Sequence, residues 1–124
     1  MNFEVIDAMA RQRRVYKIAE QIRSTIATRL LRLSDPRINM ITVTSVHLSG
    51  DLRLAKIYWT ATDGKKRIDE IEDGLASATG VLKRAIGSEL KMKFVPELRF
   101  YYDDTLDLQE ETVKLLKKVG VLKE

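Results

Sequence analysis

The 124-residue chain contains no cysteine, which excludes disulfides and thiolate metal sites and suits a reducing compartment. Its one histidine, His47, rules out any mechanism that needs two imidazoles. Only six glycines occur, and none are spaced as a phosphate-cradling loop that feeds a helix. No apolar run approaches the roughly 20 residues needed to span a bilayer. The first ten residues also lack the apolar centre of a secretory signal. The expectation is a soluble, cytoplasmic protein with no membrane partner. Hydrophobic residues, at 44%, suffice for one domain with its own core.

Charge is what the sequence has in quantity, with 22 Lys+Arg against 18 Asp+Glu and a net +4. Its distribution says more than its total. Residues 11–33 carry Arg11, Arg13, Arg14, Lys17, Arg23, Arg29 and Arg32 against Glu20 alone. A second basic stretch, residues 83–99, holds Lys83, Arg84, Lys91, Lys93 and Arg99 against Glu89 and Glu97. Acids gather instead at 63–73 and 103–111. Folding could merge the two basic stretches into one face that attracts phosphates by counterion release. The plainer alternative is a set of solvated helix surfaces.

Hydrophobic periodicity sets the expected elements. Residues 1–10 read as a loose leader. Val15, Ile18, Ala19, Ile22, Ile26, Leu30 and Leu33 form one apolar stripe, which predicts a helix over 13–33. Asp35-Pro36 ends it, because a residue before proline avoids helical geometry. Residues 38–48 are β-branched and read as a strand. The parity of Ile41 and Val43 conflicts with that of Val46 and Leu48, so a bulge is expected near Thr44-Ser45. Ser49-Gly50-Asp51 signals a turn, and 53–62 alternates cleanly as the second strand of an antiparallel hairpin. Helical spacing resumes from Arg67, falters at Ala78-Thr79-Gly80 and continues to Leu90. Gly80 costs a helix about 1 kcal/mol relative to alanine, so two helices joined by a sharp kink are expected. Residues 93–102 form the last strand, with Phe94, Leu98, Phe100 and Tyr102 facing one way. The expected fold class is α+β, a three-stranded sheet with helices on one face, in the order helix-strand-strand-helix-kink-helix-strand.

Chemistry is hard to find in this pattern. His47 has no metal-ligand partner in sequence, and no serine has an accompanying base. Asp69, Glu70, Glu72 and Asp73 could hold magnesium for a nuclease, but helical spacing puts them on a solvated face. Binding is the better reading. A helix starting after Gly80 would offer free N–H groups and a positive dipole end to a phosphate, with Lys83 and Arg84 in its first turn. A second alternative is a protein-interaction module built on residues 103–119.

Three segments carry a family resemblance: Asp35-Pro36-Arg37; Val46-His47-Leu48-Ser49-Gly50-Asp51-Leu52 with Ala55 following; and Val95-Pro96-Glu97-Leu98-Arg99-Phe100-Tyr101-Tyr102-Asp103. Residues 13–106 resemble the ribosome-binding factor A family, in that family's order of elements. The resemblance implies a type II KH-like fold. It also implies binding to the free small (30S) ribosomal subunit and its 16S rRNA during late maturation, including processing of the rRNA 5′ end. KH domains usually clamp nucleotides with a Gly-x-x-Gly loop, which is absent here. Ala78-Thr79-Gly80 stands instead where the family has an Ala-x-Gly kink.

The expected RNA-binding residues are Arg11, Arg13, Arg14 and Lys17 on the first helix, with Ala78, Thr79, Gly80, Lys83, Arg84, Lys91 and Lys93 around the kink. Residues 1–106 would be the ribosome-binding domain and 107–124 a short tail. No catalysis, cofactor, metal or small-molecule substrate is expected, and the protein is read as a monomer.

Overall fold

A computed structural model describes residues 2–122. Along the chain run α1 (Phe3–Arg32), β1 (Ile41–Leu48), β2 (Leu54–Ala61), α2 (Ile68–Glu89), β3 (Glu97–Tyr102) and α3 (Thr105–Lys118). The strands form one sheet in the order β1-β2-β3, with β1 antiparallel to β2 and β3 parallel to it. A parallel pair needs a long crossover, and α2 supplies it. The α+β class is as the periodicity predicts.

α1 and α2 cover one face of the sheet. Ile22 and Ile26 of α1, and Ile71, Leu75, Leu82 and Ile86 of α2, meet Ala55, Ile57 and Trp59 of the central strand in one buried cluster. The bulge predicted from conflicting parity is present, since the β1–β2 register shifts between Val43 and Ser45. Val43 and Val46 therefore both point into the core.

Family-like segments turn out to be joints. Asp35 accepts from the Arg37 backbone N–H at 3.0 Å and pairs with its guanidinium at 2.7 Å, while Arg37 also donates to Ser77 of α2. The Arg37 guanidinium holds the Asp35 carboxyl below its ordinary pKa. This turn lies so tightly across α2 that a Cβ on Gly74 would sit 2.6 Å from Cγ2 of Ile38. The hairpin turn is laced in the same way, with Ser49 Oγ donating to Asp51 at 2.7 Å and accepting from the Leu54 N–H at 3.0 Å.

Three expectations need correction. The leader is not loose: α1 starts at Phe3, capped by Asn2, whose side chain accepts from Val5 N–H at 2.9 Å. Met1 lies outside the described residues, as do the last two residues of the tail. The two kinked helices are one, because α2 runs unbroken through Ala78-Thr79-Gly80. Its buried residues continue on both sides of Gly80 (Leu75 and Ala78 before it, Leu82 and Ala85 after), and that burial outweighs one glycine's cost. Finally, Phe94 does not join Leu98 in the core. It precedes β3 and is 79% exposed, whereas Pro96 is buried.

Candidate nucleic-acid interface

Continuity of α2 removes the phosphate cradle expected after Gly80, since the N–H groups there belong to the helix. Ala78 is buried in the core. Thr79 is half-buried, and its hydroxyl donates to the Leu75 carbonyl at 2.9 Å, a contact that tends to bend a helix. Gly80 is exposed, with the Arg84 guanidinium 3.5 Å from where its Cβ would be. Of the three, Ala78 serves packing and exposed Gly80 does not, and the polar chemistry passes to Lys83 and Arg84.

Ion pairing separates the basic residues into two groups. Over the core, Arg23 meets Glu20 at 3.1 Å and Arg29 meets Glu89 at 3.7 Å. Arg11 has only a loose partner, Asp7 at 3.9 Å. Among the described residues no carboxylate lies within ion-pair distance of Arg13, Arg14, Lys17, Lys83, Arg84, Lys91 or Lys93. All of these but half-buried Lys83 are exposed. Side chains of this kind are free to neutralise phosphates.

The fold brings two of the expected basic residues, Arg11 and Lys93, to the β1–β2 turn. Arg11 lines a cleft with Tyr16, Val46, His47 and Gly50, so the first half of α1 passes beside the β1–β2 turn. Lys93 lines another cleft with Asp51, Leu52 and Arg53 of that same turn. Arg53 was not among the expected residues, and its place just after the turn was the available signal. Lys83 and Arg84 sit further back on α2. That helix ends against the C-terminal third of α1, where Glu89 accepts from the Thr25 hydroxyl at 3.0 Å and pairs with Arg29. The one carboxylate between Arg84 and Lys91 in sequence is thereby occupied.

Lys91 stands out for its backbone. It closes α2 in the left-handed region, at φ 53, where the Met92 N–H reaches back to the Gly87 carbonyl at 3.1 Å. Glycine is the usual residue at such a helix end. A lysine there costs conformational energy and keeps a cation. Lys91→Gly is therefore expected to raise stability by about 1 kcal/mol while weakening RNA binding. Thermal melts and binding titrations on one preparation check both signs.

Comparison with known proteins identifies the family. The family model described as ribosome-binding factor A matches residues 12–116. The chain belongs to the ribosome-binding factor A family. A ribosome-binding factor A from Citrifermentans bemidjiense is 41% identical over 105 residues, covering 84% of this chain and 88% of the relative. One from Halothermothrix orenii is 37% identical and covers 88% and 90% respectively. The crystal structure of ribosome-binding factor A from Thermus thermophilus superimposes with a TM-score of 0.65 at 25% identity, over 71% of this chain and 93% of that one. A homology model of the Thermus thermophilus factor, fitted into an electron cryo-microscopy map of a 30S–RbfA complex, gives a TM-score of 0.54 at 27% identity, over 68% of this chain and 90% of that one. The family match reaches well into α3, beyond the stretch on which the sequence motifs lie.

Proposed function

We propose that this protein is an assembly factor for the small ribosomal subunit. It binds the free 30S particle through 16S rRNA during late maturation, including the period in which the rRNA 5′ end is processed. Residues 1–106 form the binding domain and 107–124 an appendage. It works as a monomer in the cytoplasm and without catalysis, occupying an immature rRNA conformation reversibly until the subunit matures. Arg11, Arg13, Arg14, Lys17, Lys83, Arg84, Lys91 and Lys93 neutralise phosphates. The observation that carries the reading is the set of cations on α1 and around the end of α2, most of them exposed and all but Arg11 without an ion-pair partner among the described residues, in a family named for ribosome binding. The 30S particle as partner is carried over from the complex of the Thermus thermophilus relative.

Co-sedimentation with purified small subunits, large subunits and intact ribosomes tests it. Retention by free small subunits above the other two is expected, and equal retention by all three would overturn the assignment. Because phosphate contacts release counterions, affinity should fall at least about tenfold between about 50 and 200 mM salt. A flat salt response would remove phosphate from the mechanism.

A further inference from the structure

The helices leave the second face of the sheet uncovered. Its outward side chains fall into rows that cross all three strands. His47, Lys56 and Arg99 are register partners in one row, and Ser45, Tyr58 and Tyr101 in the next. Rings link the strands: His47 meets Tyr58 edge-on at 5.3 Å, and Tyr58 lies 5.6 Å from Tyr101 with planes 31° apart. His47 is exposed, and Tyr101 remains 38% exposed.

Beside this strip of rings lies an electrostatic oddity. Lys56 and Arg99 are directly opposite each other on neighbouring strands, an arrangement of like charges that weakens a sheet. Only Arg99 has a carboxylate partner among the described residues, Glu97 at 3.4 Å. The acid at the other end of the face, Asp103, is engaged elsewhere: it accepts from Thr44 Oγ1 at 2.7 Å and from the Thr105 N–H at 3.0 Å. Aromatic rings next to two cations that share a single carboxylate suit one kind of polymer, in which flat apolar bases alternate with anionic linkages.

We propose that this open sheet face binds unpaired RNA, its bases stacking on Tyr58 and Tyr101 and its phosphates held by Lys56 and Arg99. The inference rests on the RNA-binding reading above but uses a separate surface. It gives the protein two grips, with the helical cations taking phosphates and the sheet taking bases from a single strand.

The test is fluorescence anisotropy with a short, labelled, unstructured RNA and the same strand carrying abasic sugars in its middle. The parent protein should bind the base-bearing strand about tenfold more tightly or better, given the usual worth of base–aromatic stacking. Tyr58→Leu with Tyr101→Leu keeps apolar bulk and should erase that preference while leaving abasic binding unchanged. Equal affinity of parent and double variant for the base-bearing strand would overturn the proposal, and so would failure of the parent to bind RNA on this face. Should the double variant not fold, photo-crosslinking of a thiouridine-bearing strand to the unaltered protein decides. Crosslinks within β2 and β3 support the platform, and crosslinks confined to α1 and α2 sink it. Co-sedimentation of these variants beside Lys83→Glu/Arg84→Glu separates the two readings, because subunit binding can survive loss of the platform and oligonucleotide stacking can survive loss of the helical cations.

Discussion

Replacing Lys83 and Arg84 together with glutamate is expected to weaken small-subunit binding by about 10- to 100-fold. On the proposed reading, each reversal removes a phosphate contact and adds a repulsive charge beside the polyanion. Neither side chain has an ion-pair partner among the described residues, so the fold loses little. Stability should stay within about 0.5 kcal/mol of the parent, as for surface changes away from caps and networks. The deficit should shrink as salt rises, because screening weakens attraction and repulsion alike. A variant that melts and binds like the parent would take α2 out of the interface.

Trp59→Ala should have the largest effect on stability. The ring is fully buried in the central strand, edge-on to Tyr102 at 5.1 Å. Removing such a side chain costs about 3–5 kcal/mol, in transfer energy and in the cavity left behind. That is a large share of the roughly 5–15 kcal/mol that holds a domain together. The melting midpoint should fall by more than about 10 °C. Trp59→Phe should fall far less, because the indole N–H has no hydrogen-bond acceptor among the described residues and its removal relieves an unpaired donor. If the two variants melted alike, cavity size would not be what decides stability here.

Legibility in the sequence varied with what each signal depends on. The Thr44 bulge could be read because side-chain alternation is strict, and two valines three apart cannot share a face without an extra residue between them. The hairpin followed from Ser49-Gly50-Asp51 in the same local way. Unbroken α2 could not be read, because Gly80 is judged by propensity alone until the buried residues on either side are known to pack in one core. The early start of α1 leaves no stripe in the sequence, because its first turns bury nothing. The available signals were a capping asparagine at position 2 and the absence of proline or glycine up to Leu33.

The candidate site shows the same division. Which residues are basic was plain, but which of them lack partners was not, since Arg29 finds Glu89 across 60 residues of chain. The outward positions of Lys56 and Tyr58 were evident from alternation. Their alignment with Arg99 and Tyr101 depends on β3 lying parallel beside β2, a long-range pairing that local pattern does not encode.

The length of α1 has a mechanical consequence. Residues 3–14 are exposed apart from half-buried Ala8, so they run as a rod of about 18 Å at the helical rise before Val15 and Ile18 meet the body. A rod of that size exceeds the radius of gyration of about 13 Å typical for a domain of roughly 100 residues. Wherever the globular part seats, the tip is carried to a set distance and bearing, like the pointer on a gauge. Shifting the seat by a few degrees swings that tip through more than an ångström, so a crevice that admits the rod also constrains the orientation of the body behind it.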